Sequence, residues 1–146
     1  SDYTKSGYDR GHLLPSADRS SSVEVNKTTF YMSNVAPQLP SLNRGVWKSL
    51  EEQVREWAKS ADTVFVVVGA ILQEQNTPKT IGRDVTVPEK FFKAIMIKKE
   101  GDKNKIHCYI MPNSEELNKN FDTYSVSLEE LEKNSNIDLI WNNQKN

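Results

Sequence analysis

The apolar positions of the chain fall into a few blocks whose spacing predicts elements. Between Ser41 and Ser60, Val46, Leu50, Val54 and Trp57 recur at helical spacing with charge elsewhere. That pattern predicts one long amphipathic helix, with Ser41, just after Pro40, as its N-cap. The stretch TVFVVVGAIL at 63–72 is short and rich in β-branched residues, and predicts a central strand. KFFKAIMIKK at 90–99 and KIHCYIMP at 105–112 flank the turn signal Glu100-Gly101-Asp102 and read as a hairpin. Ser127 and Glu130 have capping-box spacing ahead of a brief amphipathic run, so a short helix follows Ser127. The first forty-five residues, rich in Ser, Asn, Pro and Gly, read as loops around one strand at Thr29-Phe30-Tyr31-Met32. Together these elements predict an α+β fold, a central and largely antiparallel sheet with flanking helices.

At 146 residues the chain has the length of a single domain. No apolar run reaches the length of a membrane span. The net charge of −1 removes bulk electrostatics as an argument for nucleic-acid binding. Splitting the chain changes little: residues 1–60 carry eight Lys/Arg against seven Asp/Glu, and residues 61–146 eleven against thirteen. Any basic surface is therefore made by folding. Cys108 is the single cysteine, so there is no internal disulfide and no CxxC metal site. The chain opens on Ser1, eight residues before Asp9, and reads as a processed product or a fragment lacking an N-terminal segment of its parent.

Candidate chemistry starts at Asp9-Arg10-Gly11-His12, which puts one of only two histidines beside an arginine and a glycine. An imidazole is the side chain suited to proton transfer near neutral pH. Arg10 offers a planar cationic fork for phosphate, Gly11 lets the backbone turn, and Asp9 could orient the ring or hold the loop. A surface turn with an unremarkable histidine is the plain alternative. A second cluster follows, with Asn34, Gln38 and Asn43 on a Pro-rich approach into the long helix and Glu51 eight residues beyond Asn43. Asn43, Trp47 and Glu51 form an i, i+4, i+8 ridge on an ideal helix. Eight residues rise about 12 Å, so Asn43 is expected to bind an ion directly and Glu51 to act through water. An amide oxygen with several waters suits Mg²⁺ better than Zn²⁺. His107 and Cys108 read as structural, Trp47 and Trp57 as core anchors with base stacking as the lesser reading, and the lysines at 98, 99, 103 and 105 as a solvated hairpin turn with a remote nucleic-acid contact as the lesser reading.

GYDRGHLLPSADR, TFYMSNVAPQLPSLNRGVWKSLEEQVREWA, VVVGAIL and VTVPEKFFKAIM occur here in an order that resembles the DNA/RNA non-specific endonucleases. These are ββα-metal (His-Me finger) nucleases, including the endonuclease G type, and the resemblance covers about residues 5–140. It implies one nuclease domain over 1–146 with a ββα-metal core. It also implies His12 as general base, and Asn43 as protein ligand of a single Mg²⁺ or Mn²⁺. Glu51 would orient the ion's water, Arg10 and Asp9 would shape the phosphate site, and Asn34 and Gln38 would support it. The implied substrates are DNA and RNA, cut within the strand to leave 5′-phosphate ends with little sequence preference.

Family members usually carry a further arginine ahead of this motif, and Arg19 or Arg44 is a candidate to stand in for it. Without that arginine, the alternative is a catalytically impaired nucleic-acid-binding module. A phosphodiesterase acting on a small substrate keeps the same chemistry. Loss of an upstream strand would uncover a sheet edge and invite pairing with a second copy. The hazard of a non-specific nuclease to its own cell favours an exported bacterial enzyme, periplasmic or extracellular. An inhibitor protein or enclosure in an organelle answers the same hazard.

Overall fold

β-branched and aromatic residues at alternating positions build the sheet on which everything else rests. The computed structural model describes residues 3–14, 23–25, 35–72, 79–83 and 85–141. The strands are β1 (Asp9–His12), β2 (Val23–Val25), β3 (Val35–Gln38), β4 (Thr63–Ile71), β5 (Thr80–Ile81), β6 (Val85–Thr86), β7 (Lys90–Lys98), β8 (Lys105–Pro112) and β9 (Ser125–Val126). The helices are α1 (Trp47–Ser60), preceded by a π-helical turn at Leu42–Val46, and α2 (Leu128–Ser135). The main sheet has the order β2-β4-β7-β8-β9, antiparallel except for the parallel β2–β4 pair, and β1 with β3 forms a separate antiparallel hairpin-like pair. The expected α+β fold with a largely antiparallel sheet is what the chain adopts.

Both faces of the sheet are covered, and the period of two decides which residue goes where. Val64, Val66 and Val68 of β4 with Phe91 and Ile95 of β7 face α1, where Trp47, Leu50 and Val54 complete a first core. Val67, Phe92, Ala94 and Met96, with Cys108 of β8, face α2, where Leu128 and Leu131 complete a second. The β7–β8 hairpin turns through Gly101 at φ +86°, a conformation that suits glycine. α2 starts as expected, with Ser127 Oγ accepting from the Glu130 N–H at 3.0 Å. It ends on Asn136 in the left-handed region, where Asn is better tolerated than most residues.

Two expectations change, and a third is not tested. Asp9–His12 and Val35–Gln38 are strands rather than loops: Asp9 pairs with Gln38 and His12 with Val35. The strand expected at Thr29–Met32 lies outside the described residues. Ser41 is not an N-cap, because it already has helical φ and ψ and its hydroxyl donates to the Ser114 carbonyl at 2.5 Å.

That last bond belongs to a joint between the small β-pair and the large sheet. Asn113, just beyond β8, accepts from the Leu39 N–H at 2.8 Å and donates through Nδ2 to the carbonyls of Pro37 and Pro88, both at 3.0 Å. One amide side chain thus satisfies backbone groups of two prolines' neighbourhoods that have few other partners. Lys93 of β7, buried among apolar residues, sets its ammonium 4.6 Å from the Trp47 ring centroid. Asn113→Ala is expected to lower unfolding stability by about 2–3 kcal/mol, from three lost side-chain bonds in partly buried surroundings. Urea titration followed by circular dichroism measures it.

Candidate active site

Strand geometry sorts the Asp-Arg-Gly-His run into two faces. Arg10 and His12 are exposed on one side of β1, while Asp9 and Gly11 turn toward β3 and the start of the helix. The imidazole and the guanidinium therefore share an open face two residues apart. Gly11 is fixed by its neighbour: the Gln38 side chain lies across it where any Cβ would collide. Gln38 is fully buried, and its amide nitrogen and oxygen have no protein partner. A buried amide in that state is a site for ordered water.

Asp9 ties this strand to the helix. Its Oδ2 accepts from Asn43 Nδ2 at 2.9 Å and from Arg44 Nε at 2.8 Å, and its Oδ1 accepts from Arg44 Nη2 at 2.7 Å. The bidentate Arg44 hydrogen bonds hold the Asp9 carboxyl below its ordinary 3.8, against burial that pushes it up, with the Asn43 bond adding to the lowering. Binding its amide nitrogen to a carboxylate fixes which way Asn43 faces, since Oδ1 must then point away from Asp9. A second tie runs from Trp47, whose Nε1 donates to the His12 carbonyl at 3.3 Å.

The helix does not start as an ideal one. In the Leu42–Val46 turn the Trp47 N–H reaches five residues back to the Leu42 carbonyl, and Gly45 sits at φ −108°, ψ −114°. Asn43 therefore leaves the expected Asn43–Trp47–Glu51 ridge, while Trp47, fully buried, and Glu51, half-buried, keep i, i+4 spacing within α1. Arg44 has its fork committed to Asp9, although its side chain is 71 % exposed. Arg10 lies with its guanidinium 5.2 Å from the Tyr3 ring centroid. Asn34 and Arg19 lie outside the described residues.

The donor set fits a hard cation held by one amide oxygen and water. Among the described residues no three His, Cys, Asp or Glu side chains group as a metal cage. Sequence reasoning missed Asn113, which carries no motif and is legible only once Pro37, Leu39 and Pro88 meet around it.

Two outcomes follow for the clamp. Asp9→Ala is expected to weaken divalent-ion affinity about 10–100-fold with the fold retained, because Asn43 loses its orienting acceptor; isothermal titration calorimetry with Mn²⁺ beside far-ultraviolet circular dichroism checks this. A lowered Asp9 carboxyl lends stability that is present above the unfolded value of 3.8 and is lost as pH falls through the folded value. Arg44→Ala should flatten that acid limb of a stability–pH curve, and more so at low salt because the pair is exposed.

Residues 1–145 match the family described as DNA/RNA non-specific endonuclease. Over 96 % of the chain, the sequence is 35 % identical to a protein named Nuclease from Nostoc sp., covering 53 % of that protein. It is 36 % identical over 77 % of the chain to human Endonuclease G, mitochondrial, covering 41 % of it. The fold is similar to a crystal structure of an EndoG/EndoGI complex concerned with EndoG inhibition. The TM-score is 0.75 at 29 % identity, over 92 % of this chain and 60 % of that one. The chain spans about half the length, or less, of the curated relatives it matches. The expected bacterial export is overturned: relatives from human, Xenopus laevis and Saccharomyces cerevisiae are named mitochondrial. Self-harm is avoided by enclosure as well as by secretion, so hazard never implied export. With the strand pair, the clamped asparagine and a match across nearly its whole length, this chain belongs to the DNA/RNA non-specific endonuclease family.

Proposed function

We propose that this domain is a divalent-metal-dependent endonuclease that hydrolyses phosphodiester bonds in both DNA and RNA. The observation that carries the proposal is the Asp9–Asn43 bond of 2.9 Å, which commits the amide nitrogen and reserves Oδ1 for a cation. Asn43 is the protein ligand, and Glu51, two turns along, holds the ion's hydration shell by hydrogen bonds. When bound, a hard ion such as Mg²⁺, or Mn²⁺ in its place, neutralises charge on the phosphoryl group and on the departing 3′-oxygen.

The chain's own residues do the rest. Neutral His12 takes a proton from the attacking water at a ring nitrogen, and its backbone is held by the Trp47 indole. Arg10, on the same exposed face of β1, steadies the non-bridging phosphate oxygens with its fork. Departure of the 3′-oxygen leaves the phosphate on the 5′ end. Contacts confined to phosphate give little sequence preference, which suits both sugars.

One observation favours a second reading, a nucleic-acid-binding module impaired in catalysis: Arg44 is engaged by Asp9 and so adds no second cation at the phosphate. An inhibitor protein as partner is in keeping with the EndoG/EndoGI complex to which the fold is similar. Supercoiled-plasmid cleavage with Mg²⁺, with and without EDTA, separates the two readings. Cleavage is expected to require the metal and to fall at least about 10²-fold in a folded His12→Ala variant. A folded chain that binds plasmid yet never nicks it would leave the impaired module standing.

A further inference from the structure

At the other end of α1 the structure gathers residues that the proposed chemistry does not use. Trp57 and His107 stack with ring centroids 4.2 Å apart and planes 16° apart. They form the wall of a cleft of about 260 Å³ at the turn end of the β7–β8 hairpin, rimmed by Lys99, Lys103, Lys105 and Asp102. All three lysines are exposed, and none makes an ion pair among the described residues. In a chain of net charge −1, three such cations around a flat aromatic wall are a local exception. Asp102 is the one acidic group among the described residues lining the cleft; Glu100 is its neighbour in the turn, and Asp122 acts on His107 from the far side.

We propose that this cleft is a second nucleic-acid contact, taking the sugar-phosphate backbone and one unstacked base of a single-stranded segment of the substrate. Lysines that track phosphates beside an aromatic surface that accepts any base are the arrangement of sequence-tolerant single-strand binding. The cleft is smaller than ligand pockets of about 300–1,000 Å³, so it suits one nucleotide unit rather than a cofactor. An acidic protein would use the lysines but not the aromatic wall. Burial, and then the charge of Lys105, lower the His107 pKa, which keeps the ring neutral and able to stack.

From Trp47 at the start of α1 to Ser60 at the cleft the helix rises about 20 Å. On a duplex that distance is about six base pairs. The cleft therefore grips substrate away from the bond being cut. This deepens the nuclease reading and rests on it, yet binding tests it without catalysis.

The experiment is fluorescence anisotropy of a labelled twelve-residue oligothymidylate in EDTA, with the 146-residue chain and two variants. Lys99→Ala/Lys103→Ala/Lys105→Ala should weaken binding at least tenfold and reduce the log–log salt slope by about 2, at about 0.7 per phosphate contact. Trp57→Leu should weaken it about tenfold with the slope unchanged, since stacking carries no counterion. Hydrolysis of bis(p-nitrophenyl) phosphate with Mg²⁺ should be the same in wild type and the triple variant, because so small a diester cannot span the two sites. Unchanged affinity and slope in the triple variant overturn the proposal. So does equal competition by inorganic phosphate, which makes the cleft a plain anion site, or by polyglutamate, which makes it a surface for an acidic protein. A wild type that binds through these lysines but hydrolyses nothing leaves the cleft assigned and removes the nuclease reading instead.

Discussion

The carboxylate of Asp9 is the constraint on which the site depends. It accepts three hydrogen bonds from two consecutive residues of the helix start, so a single side chain sets where strand β1 lies against that turn. Neither element could do this alone. A four-residue strand carries few ladder bonds, and a turn with an irregular glycine has weak intrinsic preference for one conformation. The charge-assisted bonds are short and directional, and they act where the apolar core gives no directional information.

What the core contributes is distance and rigidity. Trp47 has its ring sealed between the helix and the sheet, packed edge-on to Phe91, and spends its only polar atom on the His12 carbonyl. On the other side, Asn113 and Ser114 carry the end of β8 to Pro37, Leu39 and Ser41. The chemistry-bearing strand is thus suspended between two supports, each anchored in the main sheet. That is how the backbone that carries an exposed imidazole is held in place.

Much of the architecture was legible because it follows apolar period. The hairpin at 90–112, the strand at 63–71, the short helix after Ser127 and the end of the long helix at Ser60 all appear where spacing predicted them. The strand at Asp9–His12 was not legible, because Asp-Arg-Gly-His has no apolar alternation and its partner Val35–Gln38 contains a proline. Its pairing comes from long-range contacts that no local window contains. Ser41 was misread for a related reason: a serine after proline is a good cap in isolation, but Ser114 supplies a better acceptor from seventy-three residues away. Among the candidate site residues, Asn43 and Glu51 stand out in the sequence by spacing and by the resemblance, whereas the partnership of Asn43 with Asp9 needed coordinates.

The irregular turn at Leu42–Val46 separates two phases that an ideal helix would lock together. From Trp47 onward the helix is indexed by the core, which demands Trp47, Leu50 and Val54 inward. Before it, the chain is indexed by Asp9, which demands Asn43 in a different direction. In a regular helix each residue turns about 100°, so the two demands could be met only by chance. The five-residue turn acts as a vernier between them. The packing of the domain can drift with its sequence while the aim of the asparagine stays set.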